Sequence, residues 1–489
     1  MPNVGFVRPD VTAKLPQWQK VADCVEGEEC IKKAGATYLP VPETSKDNAT
    51  NYARYNKYLL RAVFFPVTGR TLDGLIGQVF SKEIATDVPD NLEPLLEDID
   101  GAGTSLEQQS KQALESVLSF GRAGLLSDFP EIPEDAVVTK ADIEAGRYRP
   151  RVILYQPQQV INWREETIGG ESRLSLLVLK EEAVIDDDGF EFETEDRWRV
   201  IRLAGGGEER GAYVQLWKKQ SEKQGPESKG FVPVDEEAPM KGPDGKPLDR
   251  IPFTFIGATN NDVTVDESPL YPLACLNVAH YRNSADYEQS LFLVGQPTPV
   301  FAGLTDDWAK KYIHGKVTLG SSNAVALPTG STFDLLQVAP NTMPMEGMTH
   351  KEDQMKAIGA KLIEPGGVER TATEAEIEEA SEASILSSAA KNVSAAYEVA
   401  LVNCSLFLQD PADLEDVSVA LNSEFQVVGL GAQERQEVMA AWQGGIIAWQ
   451  EVREIYRKKG IATLADDEAK ELIAADDTTL GTQLPPAGG

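Results

Sequence analysis

Apolar residues at spacings of three and four appear first in NYARYNKYLLRAVFFPVTGRTLDGLIGQVFSK, residues 51–82. Tyr52, Tyr55, Tyr58, Leu59, Ala62 and Val63 share one face, which predicts an amphipathic helix. Pro66 breaks it, and the pattern resumes through Thr71–Phe80. Upstream, residues 1–46 read as irregular except for a short helix in LPQWQKVADCVEG. Leu106, Ala113, Leu114, Val117 and Leu118 line a helix from Ser105 through Phe120, which Gly121 ends. GLLSDFP follows as a short buried strand stopped by Pro130.

The period then changes to two. RPRVILYQPQQVINWREE, RLSLLVLKEEAVI, RWRVIRLA, AYVQLWKKQ and IPFTFIGA alternate or run apolar over strand lengths, with Gly-Gly and Asp-Asp-Gly turns between them. A mixed α+β domain over residues 1–266 is the expectation. From residue 268 the helical period returns in one long helix, SPLYPLACLNVAHYRNSADYEQSLFLVGQP, of about 25 residues or roughly 40 Å. Ser268 is its expected N-cap and Pro269 its first residue; Leu273, Leu276, Ala279 and Tyr287 form a sparse apolar face. Short strands around a small helix, DDWAKKYI, fill 297–338, and a second helix runs from Met343 to Ile363.

A turn, EPGGVERT, leads from there into a predicted helix over Thr373–Leu408, with Thr371 to Glu374 as a capping box. Val393, Tyr397, Leu401, Cys404 and Leu408 give its second half a stripe to bury. The first half has none. Five glutamates lie between Glu374 and Glu382, and no Lys or Arg follows Arg370 until Lys391. Beyond Pro411, VSVALNSEFQVVGL predicts a strand pair, and a helical hairpin turns at Gly444-Gly445. The last stretch reads as frayed.

Composition narrows the function classes. With 78 Asp and Glu against 46 Lys and Arg, the net charge is −32, which disfavours a basic grip on nucleic acid but suits a wall that repels it. Four cysteines in 489 residues give no disulfide framework and fit a reducing compartment. Cys24 and Cys30 would pair or bind metal only with further ligands, and three scattered histidines make a zinc site a poor expectation. No signal peptide or membrane-length apolar run is present, so the expected site of synthesis is the cytoplasm and no membrane partner is expected.

Catalytic motifs are missing: no phosphate loop, no nucleophile elbow, no HExxH. Gly205 to Gly207 read as a turn, Asp186 to Gly189 as a hairpin turn and Asp128 as a solvated turn residue. The expectation is no enzyme, with no catalytic, metal or cofactor-binding residues and no cofactor. EPGGVERT beside an acidic helix without an apolar face fits packing against identical neighbours around an aqueous lumen, a ring closed by heterologous contacts.

The order and spacing of YNKYLLRAVFFPVTGRTLDGLIGQVF, VLSFGRAGLLSDFP, QVINW, SPLYPLACLNVAHYRNSADYEQSLFLVGQPTPVFAG and AIGAKLIEPGGVERTATEAEIEEASEASILSSAAKNVSAAYEVAL resemble the portal proteins of tailed bacteriophages. These form the ring at one capsid vertex through which DNA is packaged and ejected. The resemblance runs from residue 55 to about 400. It implies a portal-like α+β fold: a wing over 1–266, a stem helix over 267–296, a clip over 297–342 and a second stem helix over 343–363. A tunnel loop over 364–372, a long wing helix over 373–408, return strands over 409–430, crown helices over 431–470 and a disordered tail over 471–489 would complete it. Gly366, Gly367, Val368, Glu369, Arg370 and Thr371 would line the DNA channel, and Glu374, Glu376, Glu378 and Glu379 would face it from the acidic helix. The implied partners are further copies of the chain, a dodecamer by family expectation, together with large terminase, a head-tail adaptor and the major capsid protein. Double-stranded DNA would pass without sequence-specific binding, and the location would be the virion. The alternatives are a connector or baseplate ring without a DNA channel, or a carboxylate-dependent hydrolase.

Overall fold

The computed structural model describes residues 3–42, 49–130, 148–205, 210–220, 230–295, 298–308, 310–311, 327–336, 342–362, 384–425, 438, 441–442 and 448–458. They fall into two units, Met1–Ser423 and Glu424–Gly489. The class is mixed α+β, as the pattern predicts.

The first unit opens with α1 (Pro9–Glu26) and α2 (Glu28–Ala34). α1 is longer than the short helix predicted, because it continues through Pro16. That ring faces solvent, so the Thr12 carbonyl that it leaves without a backbone donor is open to water. Val11, Trp18, Val21 and Cys24 bury the other face, and Trp18 Nε1 donates to the Phe120 carbonyl at 2.8 Å. α3 (Ala49–Arg61) and α4 (Val67–Val79) flank Pro66. α4 starts earlier than predicted, since Pro66 itself takes the N-cap position.

β1 (Ala85–Asp87), α5 (Pro94–Glu97) and α6 (Leu106–Phe120) follow. α6 has the predicted ends: Ser105 Oγ accepts from Gln108 N at 3.2 Å, Ser105 N donates to Gln108 Oε1 at 3.1 Å, and Gly121 turns left-handed at φ 81. Then come β2 (Arg122–Asp128), β3 (Arg151–Tyr155), β4 (Val160–Ile168), β5 (Glu171–Asp187), β6 (Phe192–Ala204), β7 (Gly211–Lys219), β8 (Phe231–Pro233), β9 (Ala238–Pro239) and β10 (Phe253–Gly257). They form two antiparallel sheets, one ordered β10-β2-β3 and one ordered β4-β5-β6-β7-β8 with β9 on β7. Asp128 is no solvated turn residue. It is buried in β2 opposite Arg151, which it pairs with at 2.9 Å, and Arg199 approaches at 4.0 Å. The Asp186–Gly189 turn is where the sequence places it, with Gly189 at φ 87 and Asp188 Oδ1 accepting from Phe190 N and Glu191 N.

Next are α7 (Tyr271–Val294), β11 (Thr298–Ala302), β12 (Thr332–Leu336), α8 (Met343–Lys361), α9 (Ile385–Ser405) and β13 (Ser418–Ala420). α9 packs on β10, β2 and α6. Leu386, Ala389, Ala390, Val393, Ala396, Tyr397, Ala400, Leu401 and Cys404 are all fully buried, so small alanines carry as much of the contact as large residues. Ser127 Oγ donates to the Ala400 carbonyl at 2.7 Å, fixing helix to strand. The helix predicted over 373–408 is shorter. Ser384 is extended (φ −59, ψ 158) and its Oγ accepts from Ser387 N at 3.1 Å, so α9 starts at Ile385. The expected box at Thr371–Glu374 lies outside the described residues, as does 373–383. β13 pairs with β1, Ala420 opposite Ala85; the second strand predicted in VSVALNSEFQVVGL reaches into 426–430, outside the described residues.

In the second unit, α10 (Trp449–Lys458) starts at Ala448, whose N donates to the Glu451 carboxylate at 2.5 Å. The predicted turn at Gly444-Gly445 and the tail over 471–489 lie outside the described residues.

Candidate functional site: a helix pair carrying a β hairpin

α7 and α8 run antiparallel: His280 faces Glu352, Asn283 faces Gly347 and Tyr287 faces Met345. A Cβ on Gly347 would come within 2.8 Å of Asn283 Nδ2, the end of a side chain that would have to turn aside. α7 does not begin at Ser268 as predicted. Ser268 Oγ donates to the Ser119 carbonyl at 2.6 Å, Leu270 takes the N-cap position and Pro272, not Pro269, lies in the first turn.

The buried stripe of α7 also differs from the predicted one. Leu273, Ala274, Asn277, Val278, His280, Tyr281, Ser284 and Ala285 are buried, whereas Leu276, Ala279 and Tyr287 are half-buried. Polar residues occupy the stripe because they bind the segment around Pro66. Asn277 Oδ1 accepts from Thr68 N at 3.1 Å and Thr68 Oγ1 at 2.9 Å, and its Nδ2 donates to the Phe65 carbonyl at 2.8 Å. Ser284 Oγ accepts from Val63 N at 2.9 Å and donates to the Val63 carbonyl at 2.7 Å. Tyr281 meets Phe64 edge-on at 6.0 Å, and burial pushes its phenol up to about 12. The root of the helix pair is therefore set into the first unit.

Along the outer half of α7, α3 lies alongside. Tyr58 Oη donates to Asp286 at 2.6 Å, Arg61 donates to Gln289 at 2.8 Å, and the Arg61 guanidinium lies 3.6 Å from the centre of the Phe292 ring. Burial and the Asp286 carboxylate push the Tyr58 phenol upward.

Beyond Val294 the chain enters the β11–β12 hairpin, Thr298 opposite Leu336 and Phe301 opposite Phe333, whose rings sit 5.0 Å apart. Apolar side chains stand in solvent where hairpin and helices join. Leu291, Leu293, Val300, Leu335, Leu336 and Met345 are all exposed, Leu336 to 60%. A two-stranded sheet has little stability of its own in water, and large apolar side chains left exposed on both its faces and on the adjoining helix ends suit a contact surface.

At the other end of α8, Leu386 N donates to the Leu362 carbonyl at 3.1 Å. Residues 363–383 therefore leave and return at one point. Gly366, Gly367, Val368, Glu369, Arg370, Thr371, Glu374, Glu376, Glu378 and Glu379 all lie within that stretch, outside the described residues. The anchors are described; the proposed channel residues are not.

Cys24, Cys30, Cys275 and Cys404 are all free thiols. Among the described residues no His, Cys, Asp and Glu cluster could hold a metal ion, and no helix is long and apolar enough to cross a membrane.

The family described as Domain of unknown function (DUF4055) matches residues 269–407, which spans α7, the hairpin, α8 and α9. No curated protein matches the sequence. Among solved structures, the chain is similar to a chain of "Virion of native gene transfer agent (GTA) particle", at 13% identity and a TM-score of 0.36, over 87% of this chain and 97% of that one. It is also similar to a chain of "Neck of empty GTA particle computed with C6 symmetry", at 14% identity and a TM-score of 0.37, over 82% of this chain and 92% of that one. At such scores, function has to be read from the geometry of this chain itself.

Proposed function

We propose that the chain is a subunit of a portal-type homo-oligomeric ring at one capsid vertex, the passage through which double-stranded DNA enters and leaves. The observation that carries this reading is the helix pair with its apolar collar: Leu291, Leu293, Leu335 and Leu336 stay exposed in one copy, at the base of a hairpin too small to stand alone. Side-by-side packing of copies covers that collar. The hairpin is then the docking point for terminase and adaptor, the wing faces the capsid protein, and the ring has no enzymatic role and needs no cofactor. The net charge of −32 suits a passage, since clustered Lys or Arg contacts would hold the duplex instead of letting it slide.

Negative-stain electron microscopy of the purified chain tests the ring directly. Closed rings are expected, and a monodisperse monomer overturns the reading. A ring whose lumen is narrower than duplex DNA overturns the passage and leaves a connector without a channel. Leu335→Ser with Leu336→Ser is expected to leave thermal unfolding of the subunit unchanged while abolishing rings.

A further inference from the structure

The β5–β6 hairpin extends past its sheet. β4 pairs with β5 only as far as Leu179, and β7 pairs with β6 only from Arg197 onward. Between Glu182 and Asp196 the two strands pair only with each other among the described residues, an arm of about 20 Å at 3.3 Å per residue. Its end is apolar and bare: Val184, Ile185 and Phe192 are exposed, and Phe190 is 96% exposed. Around them residues 181–196 carry nine Asp and Glu and no Lys or Arg. Some acids are matched: Glu181 pairs with Arg199, Glu195 with Arg197 and Asp196 with Lys180. Asp186 and Glu193 instead stand directly opposite each other, and like charges in that position destabilise a strand pair. These acids cost the arm stability in an isolated copy.

The opposite chemistry lies on α3. Ala49–Arg61 has three cations and no acid, and Arg54, Lys57 and Arg61 recur at spacings of three and four, on one face. No ion pair engages Arg54 or Lys57 among the described residues. With Tyr58, Phe292 and Leu293 they line a groove of about 630 Å³. A groove of that size takes an apolar group as large as a phenylalanine side chain.

Resting on the ring reading, we infer that the acidic, Phe-tipped β5–β6 arm of one copy docks in the Arg54–Lys57–Arg61 groove of its neighbour. Arm and groove are different patches, so the contact is heterologous and propagates around a ring instead of closing a two-fold dimer. Phe190 and Phe192 supply the buried area, while Asp186 and Glu193 meet cations and the arm's own repulsion is relieved. In a chain of net charge −32, this is a matched pair of oppositely charged apolar surfaces.

Three variants of the full chain test it: Phe190→Ser with Phe192→Ser, Arg54→Glu with Lys57→Glu, and the latter combined with Asp186→Lys and Glu193→Lys. Analytical ultracentrifugation is expected to show the first two forming rings at least about tenfold less tightly than the wild type, and the combined charge swap recovering most of that loss. Unchanged thermal unfolding of each subunit separates docking from folding. A wild-type ring whose assembly ignores all three variants overturns this contact and leaves the ring reading standing. A wild type that never forms rings overturns both. If Arg54→Glu with Lys57→Glu leaves assembly intact and instead weakens retention of a DNA duplex, the groove belongs to phosphate and the arm contact is wrong.

Discussion

Asn277 and Thr68 are joined by two hydrogen bonds, Thr68 N and Oγ1 both donating to one amide oxygen at 3.1 and 2.9 Å in a fully buried site. The helix pair is thus held to the body of the first unit by a polar lock at its root. Asn277→Ala strands two donors of the buried Thr68, each at a cost of about 1–3 kcal/mol, while the Phe65 carbonyl keeps its bond from Val67 N at 2.8 Å. A loss of several degrees in melting temperature is expected by calorimetry. Leu276→Ala, on the half-buried neighbouring position, is expected to cost less; the reverse ranking would move the lock elsewhere.

Gly121 ends α6 at φ 81, and a Cβ there would lie 2.7 Å from the Glu267 carbonyl oxygen and 2.8 Å from that of Asp266. Those carbonyls belong to the segment feeding α7. Gly121→Ala combines a left-handed backbone with a backbone clash, so a loss of more than about 1 kcal/mol is expected in denaturant unfolding. Gly101→Ala, also at positive φ but in open space, isolates the conformational cost alone.

Glu115 gives a pH dependence of defined sign. Partial burial, with Asp73 and Glu26 nearby, raises its carboxyl above 4.5 in the folded chain. A raised acid binds its proton more readily folded than unfolded. Its contribution to stability therefore grows as pH falls through the raised value and is complete below 4.5. Glu115→Gln is expected to raise the melting temperature at pH 7 slightly, since the side chain is exposed enough for solvent to screen the effect, and to change nothing at pH 4. A mutant less stable at pH 7 refutes the assignment.

The thiols separate by burial. Cys24 and Cys404 are fully buried, and desolvation pushes both up to about 12, whereas Cys30 and Cys275 are half-buried. Titration of the native chain with a thiol reagent at pH 8 is expected to label Cys30 and Cys275 alone. Labelling of Cys24 or Cys404 without denaturant would show that α1 or α9 opens.

The parts of the fold legible from sequence were those in which one local signal suffices. The strands of the β-rich middle alternate or run apolar over strand lengths and are punctuated by turns, and Ser105 and Gly121 announce the ends of α6. Elsewhere tertiary contacts overrode the local signal. α1 tolerates Pro16 because Trp18 and Val21 anchor the opposite face. The stripe of α7 differs from its large apolar residues because Asn277 and Ser284 pack through hydrogen bonds, which carry no hydrophobic signal. The start of α9 was hidden because Ser384 looks like any serine in an Ala- and Ser-rich run, while its alanines, though buried, carry no strong hydrophobic signal. β1 and β13 lie more than 330 residues apart, and no local pattern announces such a pairing. The exposed collar, the charged arm and the groove depend on burial at each position, which no local pattern in the sequence encodes.

The hydrogen bond from Leu386 to Leu362 makes the intervening stretch a module whose length is independent of its supports. Closing a loop costs entropy that grows only with the logarithm of its length, about 0.6 kcal/mol per doubling. Insertions or deletions between these two leucines can accumulate without moving α8 or α9. Five glutamates in nine residues thus sit in a stretch whose change of length costs its supports least.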